Sequence, residues 1–385
     1  MTLTSKERVL TALDHREPDR VPVVIGVSNA TSLKMKAYRR LKEHLGIKAP
    51  DEYLYQRPEL GTARLDERTL ERLGGDVRGV LDLEPGAVRE RNRQREPGTP
   101  STDSWGIGQV ELEEGEWFPG IHPLQDATTG EELDDYPWPD MDDPTRVDHV
   151  RDQARRLAEE GRYAVMGTPW LLFPLERAFG LQGMDAFLLN LAVRPDFARM
   201  LLQKNLDLCK QLMGHFLREA GDYLDIVKIG DDLGTQESLL ISPDMYREIL
   251  KPVHAELISF IKERTDANIL FHTDGDVYPL IPDLLEIGID ILNPIQTSAG
   301  QMADLGKLKR EFGRDLVLCG GIDTHHVLPH GTPEEVEQEV RRVIEILGLG
   351  GGYLVSAVHT IMNDVPPENV LALADAVKTY GQYPL

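Results

Sequence analysis

The stretch "NILFHTDGDVYPLIPDLLEIGIDILNPI", residues 268–295, decides how the chain is read. It opens on a short apolar run, passes through a polar turn and a helical pattern, and closes on a second short apolar run. Neither run alternates apolar with polar residues, which is the signature of strands covered on both faces. Strand, helix, strand at this spacing is the repeating unit of a parallel sheet.

The same unit recurs in both directions. Further apolar runs stand at "RVPVVIG" (20–26), "DVRGVL" (76–81), "YAVMGTP" (163–169), "DIVKIG" (225–230), "LVLCGGI" (316–322) and "YLVSAV" (353–358). Helices with start signals lie between the later ones. In "GTPEEVEQEVRRVIEILGLGGG" (331–352), Thr332 is placed to cap, Pro333 suits the first helical position, Glu335 completes a capping box, and glycines mark the stop. In "SPDMYREILKPVHAELISFIKER" (242–264), Ser242 and Pro243 start a helix that Pro252 is expected to break or kink. Eight strands separated by helices predict an α/β fold, a (β/α)8 barrel. A six-stranded doubly wound sheet is the runner-up, but no G-x-G-x-x-G follows a strand. Residues 1–20 read as a helix packed under or beside the barrel. Residues 83–160 are rich in Pro, Gly, Asp and Arg and read as an inserted rim or lid between strands two and three of one barrel domain.

Composition narrows the function classes. The 385 residues carry a net charge of −23, which repels nucleic acid and anionic membranes. No run approaches the ~20 apolar residues that span a bilayer, and "MTLTSKERVL" has no signal-peptide core, so a cytoplasmic protein is expected. Two cysteines, Cys209 and Cys319, make neither a disulfide framework nor a four-cysteine zinc site.

A barrel of this kind carries its active site where the strands end. Those ends bear Asp82 after strand two, Asp231 and Asp232 after strand four, and His272 and Asp274 after strand five. Asn293 and Gln296 follow strand six, Cys319 and Asp323 belong to strand seven, and His359 follows strand eight. Carboxylates and imidazoles from separate strands suit acid/base work or metal ligation. The competing reading makes Asp231, Asp232 and Asp323 turn or helix caps, and Cys319 a small buried hydrophobe. The two histidines, with Asp274 beside one of them, favour a site.

Four segments carry a resemblance: "SKERVLTALDHREPDRVPV" (5–23), "DDLGTQESLLISPDMYREILKP" (231–252), "HTDGDVYPLIPDLLEIGIDILNPIQ" (272–296) and "VPPENVLALADAV" (365–377). Together they resemble the uroporphyrinogen decarboxylase superfamily, a (β/α)8 family that also holds corrinoid-dependent methyltransferases. The decarboxylase branch implies arginines after the first strand to hold eight substrate carboxylates. Here "GVSNATSLKMKAYRR" (26–40) has none before Arg39. Its essential aspartate after strand two is matched loosely by Asp82. The methyltransferase branch implies zinc on a His-x-Cys after strand five and a Cys after strand eight. This chain has His272-x-Asp274 and His359 at those places.

That replacement makes a harder ligand set, suited to an oxygen substrate such as a methyl ether. The resemblance therefore implies zinc on His272, Asp274 and His359, with Asp82, Asp231 and Asp232 as catalytic candidates. A methyl group would pass from a small methoxylated or methylated substrate to a corrinoid. No D-x-H-x-x-G occurs, so the corrinoid is expected on a partner protein. The alternatives are a metal-free decarboxylase of a small acid, using Asp82 or Asp231, and a tetrapyrrole- or corrinoid-binding protein without catalysis. Family analogy also implies a homodimer.

Overall fold

A computed structural model describes residues 2–95, 99–113, 116–170 and 173–385. Seven of the eight expected strands form one sheet: Val77–Val80, Ala164–Gly167, Ile226–Gly230, Asn268–His272, Ile291–Ile295, Val317–Ile322 and Tyr353–Ala357. They lie side by side in chain order, and every pairing is parallel. The expected first strand is reduced to an isolated parallel bridge, Val23 to Val355. It still reaches both edges of the sheet. Val24 N–H donates to Val355 O, and Asp76 N–H donates to Val23 O, each at 2.9 Å. Pro22 has no N–H to give, and Gly26 leaves the extended region at φ +75°, so the pairing cannot lengthen.

Helices cover the outside, and their caps follow the sequence. Thr332 accepts from Glu335 N–H and the reciprocal capping box is made, heading helix Pro333–Leu347. Such a cap is worth about 1 kcal/mol. The helix begun at Ser242 is not broken by Pro252. It widens into a π turn over Tyr246–Leu250 and resumes as Lys251–Lys262, which relieves the clash the proline ring would make one turn back.

One end of the sheet is plugged. Helix Ser5–Leu13 buries Val9, Ala12 and Leu13 against Val77, Ala164, Ile226, Leu270 and Ile291. Arg8 pins it, pairing with Asp19 and Asp76 at 2.7 Å each. Polar chemistry is thus left to the opposite end. Between the first two strands of the sheet, the excursion holds helix Gly86–Gln94 and a three-stranded antiparallel sheet, Ser101–Thr102, Gly108–Glu113 and Glu116–Ile121. Its residues 96–98 and 114–115 lie outside the described residues. Helix Val150–Glu160 then leads back to the main sheet. No helix of the described residues is long and apolar enough to cross a membrane.

Candidate metal centre

Strand alternation sets the first contacts. His272 and Asn293 are register partners on neighbouring strands, both buried. His272 Nδ1 lies 2.8 Å from Asn293 Oδ1, while Asn293 Nδ2 donates to Cys319 O at 3.4 Å. The amide oxygen must accept, so Nδ1 carries the imidazole proton and Nε2 is left with its lone pair. A second hydrogen bond that fixes ring and tautomer in this way is typical of ligating histidines. Cys319 is fully buried among the strands, its thiol pushed up to about 12 by burial, and it packs as a hydrophobe.

Three expected ligands converge. His272, Asp274 and His359 each offer one ligand atom, and those atoms lie within 4.8 Å of one another. The two imidazole centroids are 5.7 Å apart, and His359 Nε2 is 3.7 Å from Asp274 Oδ2. The other carboxylate oxygen, Asp274 Oδ1, is buried and has no hydrogen-bond donor. An unsatisfied buried carboxylate oxygen is costly unless a cation meets it. Gly275 makes the turn possible. Its φ is +91°, and a Cβ there would stand 2.3 Å from the Gly234 carbonyl carbon.

Charge around the set is crowded. Burial, then Asp232, hold the Asp274 carboxyl well above the usual range. Glu176 is raised in the same way, by burial and then by Asp232 and Asp231, and burial also raises Asp232. Lys228 is pushed down to about 8 by burial. His272 is held well below its ordinary value by burial, Lys228 and His359. His359 is pushed down to about 4 by burial and then Lys228; its exposed surface, 38% of the side chain, opens onto cavities rather than an outer face. Neutral imidazoles and an orphaned carboxylate oxygen fit a divalent ion such as zinc, held by His272 Nε2, Asp274 and His359.

Two cavities meet at this wall. The inner one, about 180 Å³, is lined by His272, His359, Asp232, Glu176, Lys228, Trp170 and Phe173, with Ile107, Gln109 and Pro119 from the excursion. The outer one, about 270 Å³, touches Asp274 and His359 from the other side, together with His325, Gln296 and Thr360.

The remaining carboxylates separate. Residues 228, 230 and 232 share one side of their strand, so Lys228 and Asp232 face the inner cavity and Asp231 faces away. Asp231, expected as catalytic, is fully buried elsewhere. It accepts from Leu175 N–H at 2.9 Å, Glu176 N–H at 2.8 Å and His254 Nε2 at 2.9 Å. These bonds cap helix Pro174–Gln182 from another element, a capping role as the competing reading had it, though not for its own turn. Asp232 accepts from Asp274 N–H at 2.9 Å and so ties the two loops together. Asp82 is also outside the cavity. It accepts from Trp170 N–H at 2.6 Å, is almost fully buried, and is pushed up to about 7 by that burial. Asp323 accepts from the N–H groups of His325, His326 and Val327 and is a cap.

Glu176, Lys228, Trp170 and Phe173 were not among the expected site residues. Three of them sit in "TPWLLFPLER" (168–177), directly after the third apolar run, where a strand-end inventory would find them.

Comparison with known proteins identifies the family and the fold. The family model of uroporphyrinogen decarboxylase matches residues 104–380. A uroporphyrinogen decarboxylase of Pelodictyon phaeoclathratiforme is 24% identical over 62% of this chain, which spans 66% of that protein's length. A methylated-thiol–coenzyme M methyltransferase of Methanosarcina mazei is 30% identical over 37% of this chain and 35% of its own. The solved structure of a methyltransferase from Methanosarcina mazei superposes with a TM-score of 0.65 at 19% identity, covering 98% of this chain and 99% of that one. The chain belongs to the uroporphyrinogen decarboxylase family.

Proposed function

We propose that this protein is a metal-dependent methyltransferase, taking a methyl group from the oxygen of a small methoxylated substrate and passing it to a corrinoid carried by a separate protein. The observation that carries this reading is the convergence of His272, Asp274 and His359 around a carboxylate oxygen without a donor. The set stands where methyltransferases of the family, by the sequence resemblance, carry His, Cys and Cys. We read the seven strands and segment 21–24 as a (β/α)8 barrel, with 83–160 as the rim over its mouth.

A bound divalent ion would supply Lewis-acid polarisation of the substrate oxygen. The chain's own residues do the rest. Asn293 holds His272 in the tautomer whose Nε2 faces the site. Trp170 and Phe173 wall the inner cavity and exclude water from the reacting oxygen. Asp232 fixes the Asp274 backbone, and Asp231 fixes the helix that brings Glu176. The O–CH3 bond breaks with its electron pair left on oxygen, and the methyl is taken as CH3+ by the electron pair of a corrinoid supplied in its reduced Co(I) state, which we place at the outer cavity.

Decarboxylation of uroporphyrinogen fits less well. Of the cations on the inner cavity, Arg57 is paired with Glu59 and Glu84, and Arg177 with Asp103. Eight substrate carboxylates would have to be desolvated with only Lys228 left unpaired on the cavity to meet them.

The test is elemental analysis of protein purified without chelator, followed by methyl transfer from methoxylated substrates to free cob(I)alamin kept reduced by an added chemical reductant. Stoichiometric zinc, and activity lost in chelator and in His272→Ala and His359→Ala, is expected. No bound metal with full activity in chelator overturns the reading. By family analogy we also expect a homodimer, which sizing chromatography measures.

A further inference from the structure

Lys228 is unexplained by anything above. It sits at the middle of strand Ile226–Gly230, 4% exposed, on the face that lines the inner cavity. A lysine buried this far normally has a carboxylate or several oxygen atoms around its ammonium. Among the described residues its Nζ makes no hydrogen bond and no ion pair within 4.0 Å. Its near neighbour is the Phe173 ring, 5.0 Å from Nζ to the centroid. Glu176, Asp232 and Asp274 attract it from beyond contact distance. The two arginines of the cavity are already paired, so Lys228 is the cation left facing open space.

The space in front of it has a definite character. About 180 Å³ is close to the roughly 150 Å³ that encloses a benzene ring. Trp170, Phe173, Ile107 and Pro119 supply flat or apolar walls, His272 and His359 stand at one side, and of the carboxyls on the lining Asp103 is paired with Arg177 while burial raises Glu176 and Asp232 toward their neutral forms.

We infer that Lys228 is an anion-recognition residue and that the inner cavity takes a planar, single-ring substrate carrying a carboxylate. The carboxylate meets Nζ, the ring lies against Trp170 and Phe173, and another ring position faces His272 and His359. This deepens the methyl-transfer reading and rests on it for the chemistry, but the binding claim stands separately. Lys228 selects by charge: a neutral amide of the same shape leaves the ammonium buried and unpaired, a cost that discriminates strongly between isosteres.

Titration calorimetry of the metal-loaded protein with benzoate and with benzamide tests it, neither probe having a methyl group to transfer. Benzoate is expected to bind at least about tenfold more tightly. In Lys228→Met that ratio should collapse to near one, in Lys228→Arg it should be partly kept, and zinc content should not change in either. Equal affinity of wild-type protein for the two probes overturns the assignment. So does a preference that survives in Lys228→Met, since the carboxylate would then be held by the metal or elsewhere. Should Lys228→Met not fold, Lys228→Gln makes the same comparison with a polar side chain. Loss of benzoate selectivity with methyl transfer intact refutes only this inference; selectivity without any methyl transfer refutes only the proposed reaction.

Discussion

Replacing Asp231 by Asn should damage stability more than it damages chemistry, and the structure sets the size of the effect. The carboxylate is fully buried and accepts three hydrogen bonds: Leu175 N–H and His254 Nε2 on Oδ2, and Glu176 N–H on Oδ1. Asparagine keeps the shape but offers one acceptor. With its oxygen toward Leu175 and His254, its NH2 faces the Glu176 N–H, which is left without a partner. One orphaned buried donor costs about 1–3 kcal/mol. Losing the negative charge at the start of helix Pro174–Gln182 adds about 0.3–1 kcal/mol. The sum is about 1–4 kcal/mol. Asp232→Asn, by contrast, can keep its single bond from Asp274 N–H through the amide oxygen, and should cost less than about 1 kcal/mol. Urea midpoints for the two variants and wild type, with metal content and turnover measured alongside, make the comparison. Unchanged stability of Asp231→Asn together with abolished turnover would refute the capping argument and return Asp231 to the chemistry.

Two further outcomes follow from the same geometry. Asn293→Leu removes the acceptor for His272 Nδ1 and should weaken zinc binding about 10–100-fold in competition with a chromophoric chelator, while Asn293→Asp keeps most of it; equal affinities in all three proteins would show that Asn293 orients nothing. At pH below the raised Asp274 value, metal binding should release a proton from Asp274 and not from the histidines, because Asp274 is held above the usual carboxylate range while both imidazoles are held below theirs. Affinity should accordingly rise with pH through the raised Asp274 value, where the metal-free protein still holds its proton. Calorimetry in buffers of different ionisation enthalpy reads that proton directly, and its persistence in Asp274→Asn would locate it elsewhere.

Much of this protein was determined by local sequence. Seven of the eight uninterrupted apolar runs became strands of one sheet, and Thr332, Pro333 and Glu335 formed the helix start that their spacing dictates. Residues i and i+2 of an extended segment share a side, which placed His272 with Asp274, and the strand-end argument added His359. Other features depended on contacts distant in the chain. The sequence "DD" at 231–232 does not say which carboxylate faces inward; strand register and the arriving helix 174–182 decided that Asp232 lines the cavity and Asp231 caps. Pro22 and Gly26 shortened the first strand to a bridge because pairing needs donors and extended backbone on both sides. Lys228 came to line the inner cavity only through folding, since burial and a shared cavity are properties of packed elements that no local pattern encodes.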